Sequence, residues 1–211
     1  MNFQELQREL KDIIQDNSAT VVASIPDYIN EAVQQIAEEV DLPTLKSVFS
    51  LTTSTSLYYV STPTTFNGKL KYVGSSSKKY NILDGKLEDL LELYPDVTES
   101  GDIDSVVLEG NLLYYLPIPS TAVALTCIGY NFPATLEDDT DTPSDIPSFY
   151  HREAIVNKAA SIAYSVIESG AAKEEKINFM LFNKLAEVGL NKVRAWLSRR
   201  RSSLVTSVWS Y

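Results

Sequence analysis

Two stretches near the end of the chain decide the fold: FYHREAIVNKAASIAYSVIES, residues 149–169, and AKEEKINFMLFNKLAEVGLNKVRAWLS, residues 172–198. In both, apolar residues return every three or four positions, which is the period of an amphipathic α-helix. The two apolar series are Phe149, Ile155, Ala159, Ile162, Ala163, Val166 and Ile167, then Ile177, Leu181, Leu185, Val188, Val193, Trp196 and Leu197. Because Gly170 separates them, the pattern predicts a helical hairpin. The positions expected to be buried between its helices are Ile162, Val166, Leu181 and Leu185.

The N-terminal residues 1–44 carry two further apolar series at helical spacing. The first runs from Phe3 to Ile14, and the second begins after Pro26, whose fixed φ suits the first turn of a helix. Pro43 ends the second series because proline cannot continue a helix. Residues 1–44 are therefore predicted to form a helical pair.

Residues 45–135 are rich in Ser, Thr, Tyr and Val, and their apolar period is closer to two, which is typical of strands. The predicted strands lie at 48–51, 57–60, 69–73, 105–109, 112–116 and 122–130, with a short helix near 84–93. Phe66-Asn67-Gly68 predicts a turn before the third strand, and Glu109-Gly110-Asn111 predicts a tight turn between the fourth and the fifth. The last three strands are expected to form an antiparallel meander.

The order of these elements predicts the fold class, α+β. The simplest assembly is a mainly helical bundle of about four main helices into which an antiparallel β subdomain is inserted. The predicted divisions are an N-terminal helical pair at 1–44, a β-rich insertion at 45–135, a C-terminal helical hairpin that completes the bundle at 136–198, and an extended arm at 199–211.

Charge is unevenly distributed along the 211 residues, whose formal net charge is -10. Residues 1–151 contain 8 Lys and Arg against 23 Asp and Glu, whereas residues 152–211 contain 10 against 5. This separation favours contact between oppositely charged surfaces, either with a partner or between copies of the chain. The alternative is a solvated acidic surface with a basic helix end that suits the helix dipole. The candidate subunit contacts are Glu137, Asp138, Asp139, Asp141, Lys192 and Arg194.

No motif for catalysis or cofactor binding occurs: the sequence has no dinucleotide-binding, P-loop or nucleophile-elbow pattern. The single histidine, His151, is predicted to be structural. The single cysteine, Cys127, lies in a strand-like run and is predicted to be a packed core thiol. The acidic run that includes Asp141 lacks the glycine and the distal glutamate of an EF-hand loop, so a solvated linker is favoured over a calcium site. We therefore expect no catalytic residue, no cofactor and no metal.

Residues 199–211 are predicted to form an extended docking arm. Three arginines come first, and the uncharged remainder is rich in β-branched, aliphatic and aromatic residues that favour a strand. An uncovered segment of this kind invites aggregation, so we expect a partner to cover it, with the arginines facing acidic groups or DNA phosphates. The alternatives are a frayed tail and a strand folded back on its own sheet. The predicted contact residues are Arg199, Arg200, Arg201, Leu204, Val205, Val208, Trp209 and Tyr211.

A set of short segments occurs in a characteristic order: Tyr28–Ala32 and Asp41–Pro43, then Leu112–Pro119, Cys127–Tyr130, Leu136–Asp141 and Ile146–His151. This order resembles the pattern of tailed-bacteriophage head-to-tail adaptor proteins, also called connector or neck proteins. The chain departs from that pattern at Leu42, where a tryptophan often precedes the proline.

The resemblance implies a non-enzymatic virion protein of the neck, assembled in the host cytoplasm around a helical-bundle core. It implies a homo-oligomeric ring of about twelve copies under the portal. Such a ring continues the channel for double-stranded DNA, offers a platform to tail or neck proteins, and sends its C-terminal segments towards the portal protein. We expect no membrane contact, because the apolar runs are too short to span a bilayer. The alternatives are another neck or tail-completion ring protein, a cytoplasmic interaction module and an unrecognised hydrolase.

Overall fold

The computed structural model describes residues 1–15, 18–169 and 176–205, and the side-chain surroundings as far as Arg199. The chain divides into two compact units. The helical unit comprises Met1–Thr44 and the chain from Pro133 onward, and the β unit comprises Leu45–Phe132. Within the described residues there are six α-helices and two β-sheets. The predicted mixture of helices and sheets is confirmed, whereas the predicted number of main helices is not.

The helical unit contains two groups of helices. The elements before the β unit are α1 Phe3–Ile14, α2 Ala19–Ala23 and α3 Ile25–Glu39. Those after it are a 3₁₀ turn at Ser148–Tyr150, a π-helical segment at His151–Val156, α5 Asn157–Ile167 and α6 Ile177–Val205. Helices α1 and α3 lie where the apolar series predicts them, and α2 had no such signal.

Helix α1 begins with a capping box. The Glu5 amide donates to Asn2 Oδ1 at 2.9 Å, and the Asn2 amide donates to Glu5 Oε2 at 2.9 Å. This exchange satisfies two backbone donors that the first turn would otherwise leave unpaired. The apolar side chains of α1 that face the core are Phe3, Leu6, Leu10 and Ile14, and all four are buried.

The core of the helical unit forms where α1, α3, the π-helical segment and α5 meet. Its most deeply buried members on α3 and the π-helical segment are Ile29, Ala32, Ile36, Ala154, Ile155 and Val156. The chain segments on either side of the β unit are therefore mutually dependent, because neither group of helices covers its apolar face without the other.

Helix α6 packs against α5 and the π-helical segment through small residues. A Cβ atom placed on Gly189 would overlap the backbone of Glu153 and Ala154. Only a glycine permits this approach, so position 189 fixes how closely α6 sits on the π-helical segment. The inner face of α6, defined by its buried residues, is Ala186, Gly189, Leu190, Val193 and Leu197.

The predicted burial of the hairpin is wrong at three positions. Val166, Leu181 and Leu185 are exposed by 54%, 49% and 39%, and Ile162 is only half-buried. For Leu181 and Leu185 the physical reason is that α6 has two apolar faces, and the packing uses the one that contains Ala186 and Gly189. Ile155, Ala159, Val193 and Leu197 are buried, so the other parts of both apolar series do contribute to the core.

The β unit contains seven strands in two sheets: β1 Lys46–Thr52, β2 Tyr59–Ser61, β3 Phe66–Gly74, β4 Asn81–Leu83, β5 Ser105–Glu109, β6 Leu112–Leu116 and β7 Ala124–Asn131. An antiparallel sheet has the order β1-β7-β3, and a mixed sheet has the order β2-β6-β5-β4, in which β4 and β5 are parallel. Cys127 lies opposite Phe49 on one side and Val73 on the other, so it occupies the middle of the three-stranded sheet.

Two local predictions for the β unit are wrong. Strand β7 does not pair with β6 as in a meander; it joins the other sheet, between β1 and β3. The turn predicted at Phe66-Asn67-Gly68 is an irregularity inside β3, where the register with β7 shifts between Phe66 and Leu70 and Gly68 has a φ of 85°. The tight turn between β5 and β6 is confirmed, and Gly110 has the positive φ that it requires.

Helix α4, Leu87–Leu93, covers one cluster of the β unit. Its Leu90 is fully buried against Val107, Leu116 and Ile118, and half-buried side chains that include Tyr58 and Leu91 surround them. The remaining helix positions, Glu88, Asp89, Glu92 and Leu93, are exposed. α4 is thus an amphipathic helix whose outward face is acidic with a single leucine.

Candidate partner-binding surfaces

The acidic run is held against the start of α1. The amides of Phe3 and Gln4 donate to the carbonyls of Asp141 and Asp139 at 2.7 and 3.1 Å. The Asp141 carboxylate accepts the amides of Glu137 at 2.9 Å and Asp138 at 3.0 Å, and these hydrogen bonds lower the pKa of Asp141. One member of the run therefore shapes the loop, while Glu137, Asp138 and Asp139 remain exposed.

The basic candidates of α6 contact carboxylates of their own chain. Lys192 Nζ lies 2.7 Å from Glu153, and an Arg194 guanidinium nitrogen lies 3.2 Å from Glu39. Their side chains remain about half exposed, so each ion pair contributes at most about 1 kcal/mol. The structure does not bring these cations to the acidic run. Contact between the two groups across subunits stays a prediction.

The residues predicted to begin an extended arm at position 199 are helical. Helix α6 continues through Val205 instead of ending near Ser198, so an extended conformation at 199–205 is wrong. The side-chain surroundings of Arg200, Arg201, Leu204 and Val205 lie outside the described residues, as do Val208, Trp209 and Tyr211 entirely. The docking role of these residues stays a prediction.

His151 is a structural residue of the core, as predicted. Its side chain is fully buried, and Nε2 lies 2.8 Å from the Ile146 carbonyl, where it donates as an N–H. Nδ1 lies 3.2 Å from the amino group and 3.1 Å from the carbonyl of Met1. Burial lowers the pKa of His151, because the charged imidazolium would lose its hydration.

Cys127 is also confirmed as a packed core residue. It is fully buried, and desolvation raises the pKa of its thiol to about 11. A thiol with this pKa is protonated near neutral pH and is a poor nucleophile. Among the residues that the structure describes, no group of three His, Cys, Asp or Glu side chains is placed to hold a metal ion.

The outer face of α6 is a surface that sequence reasoning assigned to the core. We define it as Ile177, Leu181, Leu185 and Val188, which are exposed by 67%, 49%, 39% and 48%. The apolar series is visible in the sequence, and the signal for the packed side is the pair of small residues on the other side of the helix, Ala186 and Gly189. Exposed apolar patches of this kind are typical of protein–protein contacts.

The start of this helix is tied to the end of α5. The Glu168 carboxylate accepts the backbone amides of Asn178 at 3.3 Å and Phe179 at 3.1 Å. These amides belong to the first turn of α6 and have no partner inside the helix, so Glu168 acts as its cap. The cap holds the exposed end of the outer face in a defined place.

The class of protein follows from these features taken with the sequence pattern: a helical unit interrupted by a β unit, a long two-faced helix and a basic helix end fit a structural adaptor of tailed bacteriophages. A family model described as SU10 adaptor protein matches residues 1–206, and the chain belongs to that family. It is therefore a phage adaptor and a virion component, and the resemblance is confirmed. No curated protein sequence matches the chain. Of the helices in the described residues, none has both the length and the hydrophobicity needed to cross a membrane.

Proposed function

We propose that the protein forms a ring beneath the portal, where it continues the DNA channel and offers a platform to tail proteins. The observation that carries the proposal is the family match over residues 1–206, which includes both units. Phage structural adaptors are typically not enzymes, and we extend this property to the chain. The internal hydrogen bonds of His151 and the buried thiol of Cys127 support it, since neither group is available to a substrate.

The C-terminal end of α6 is proposed as the part that docks on the portal. Its 29 residues span about 43 Å at 1.5 Å per residue, and the last of its residues known to be buried is Leu197. The helix continues past this point with Arg199, Arg200 and Arg201. A basic helical extension beyond the core suits carboxylates on a portal subunit or phosphates of the passing DNA.

A chain that ends at Ser198 tests this docking role. It keeps all of the described core residues, so we expect a helical circular-dichroism spectrum and a cooperative melt. We expect it to lose co-sedimentation with portal particles. The matched control removes two cations from helix α1, Arg8→Gln with Lys11→Gln, and should bind portals normally. Equal binding by the shortened and the full chains would contradict the docking role.

Ring formation is tested separately by negative-stain electron microscopy of the full chain, alone and with portal particles. We expect rings with a central hole. We also expect added salt to weaken assembly, because exposed charge pairs between copies are screened over about 10 Å at 0.1 M salt. Rings that resist high salt would remove the proposed contact of acidic and basic surfaces, but not the ring itself.

A further inference from the structure

The starting observation is that α6 carries apolar residues on two opposite sides. At 100° per residue, the outer face of α6 lies about 140° around the helix from the inner face. The inner face is covered by the π-helical segment and α5. The outer face has no cover within the described part of the chain, since all four of its residues are exposed. A helix that is apolar on both sides is normally buried on both sides.

The second observation is the charge around the outer face of α6. Lys184 lies on the same side of the helix and is exposed, whereas Lys192 already pairs with Glu153 of its own chain. Glu187 is the only acidic residue of α6 in the described range, and it lies towards one edge of the face. The natural occupant of this surface is therefore apolar at its centre and acidic at its edges.

The β unit presents a surface with those properties. Leu93 of α4 is exposed by 58%, and Asp89, one helical turn earlier on the same side, and its neighbour Glu92 are also exposed. We call Asp89, Glu92 and Leu93 the α4 surface. It offers one leucine and a net negative charge.

We propose that the outer face of α6 in one copy packs on the α4 surface of the β unit in the next copy. This assignment rests on the proposed ring and names the surfaces that hold it together. The contact is heterologous, because each copy gives one surface and receives a different one, and such contacts repeat around a closed ring. Leu181 and Leu185 would meet Leu93 at the centre while Lys184 faces the carboxylates of Asp89 and Glu92.

The size of the contact sets the conditions of the test. A stable interface buries about 800 Å² on each partner, which is more than these few side chains supply. The contact is thus weak for an isolated pair and gains strength when the ring closes or a portal gathers the copies. Assembly should be examined at high protein concentration and with portal particles present.

The experiment uses two variants of the full chain. The first, Leu181→Glu with Leu185→Glu, blocks the outer face of α6, and the second, Leu93→Lys with Glu92→Lys, blocks the α4 surface. All four positions are exposed, so the fold should survive, and circular dichroism checks this. Each variant alone should associate at least about tenfold more weakly than the unaltered chain. Val48→Glu, at a position exposed by 66% outside both surfaces, is the matched control and should assemble normally.

Mixing the two variants gives the decisive measurement. Each keeps one intact surface, so the mixture should form one-to-one dimers and nothing larger; because an isolated pair is weak, chemical cross-linking at high protein concentration is used to capture them. No cross-linked dimer above the level of either variant alone, or rings from either variant alone, would overturn the proposal while leaving the ring itself in place. If the α6 variant does not assemble but the α4 variant assembles normally, the proposal is also overturned. The outer face of α6 would then contact either the outer face of α6 in another copy or the portal. If the unaltered chain forms no ring even with portals, the proposed function fails as well.

Discussion

Both faces of helix α6 are apolar, but only the inner face is buried. On the inner face, Gly189 lets α6 come close to the backbone of the π-helical segment, and Ala186, Leu190, Val193 and Leu197 are buried beside it. The outer face carries leucines of the same size that remain exposed. Burial in this helix therefore follows the close approach that Gly189 permits and not the size of each side chain.

Gly189→Val tests the inner face most severely. Any Cβ at this position overlaps the backbone of Glu153 and Ala154, which cannot rotate away as a side chain could. We expect the free energy of unfolding to fall by more than about 3 kcal/mol, or the hairpin not to form. Chemical denaturation measures the loss. The adjacent outer substitution Val188→Ala is the control, and a loss below about 1 kcal/mol for Gly189→Val would show that the packing of α6 is wrong.

Leu190→Ala and Leu181→Ala compare the two faces with the same chemical change. Leu190 is 1% exposed and Leu181 is 49% exposed. The inner substitution should cost about 2–5 kcal/mol, because it leaves a cavity. The outer one should cost less than about 1 kcal/mol in the isolated chain. Equal losses in denaturation would mean that the two faces do not differ in burial.

His151 should make the stability of the protein depend on pH. It lies at the start of the π-helical segment against which the inner face of α6 packs. Because burial lowers its pKa in the folded chain, the unfolded chain takes up a proton at a higher pH. Stability is therefore fully present above about pH 6.5 and declines as the pH falls below that value. His151→Gln should flatten this decline in urea denaturation series at different pH values.

A correctly folded His151→Gln protein should still support assembly of infectious particles, since we propose only a structural role for the imidazole. Loss of infectivity without loss of stability would contradict the structural role. An unchanged pH dependence in the variant would mean that other groups control the decline.

The ion pair between Lys192 and Glu153 should have the smallest effect, as it lies at the edge of the packed region. Both side chains are nearly half exposed, so a double-mutant cycle with alanine should give a coupling energy below about 1 kcal/mol that decreases with salt. A larger coupling energy that resists salt would mean that Lys192 and Glu153 are shielded from solvent and belong to the packed region.

Local signals predicted much of the fold, and contacts between distant segments account for most of the misses. Strands β5 and β6 have the predicted limits, because Gly110 supplies a left-handed conformation between two apolar runs. Strand β7 was recognised as a strand, but its partners are set by sheets that assemble across the whole unit. Nothing in a helical period distinguishes which apolar side of α6 meets a backbone surface, so the outer face was assigned to the core.

For the candidate surfaces too, the sequence predicts local features but not the contacts between distant residues. The charge separation is visible in the sequence, yet Lys192 and Arg194 have carboxylate partners in their own chain, Glu153 and Glu39, that no spacing rule would pair. The apolar composition after Arg199 predicted a strand, whereas the helix continues to Val205. Helix propagation adds one hydrogen bond for each residue, and this outweighs a local preference for strand.

The interruption of the helical unit by Leu45–Phe132 has a consequence for the order of events on the ribosome. The β unit is continuous in sequence and can fold as soon as it has emerged. Helices α1 and α3 must wait until the residues that cover them, including Ile155 and Ala159, have been synthesised. A β unit that has already folded shortens the loop that must close, which lowers the entropic cost of joining the two halves. The outer face of α6 is made after the β unit and α5, so a nascent chain cannot recruit neighbours through it before the β unit and most of the helical unit have been synthesised.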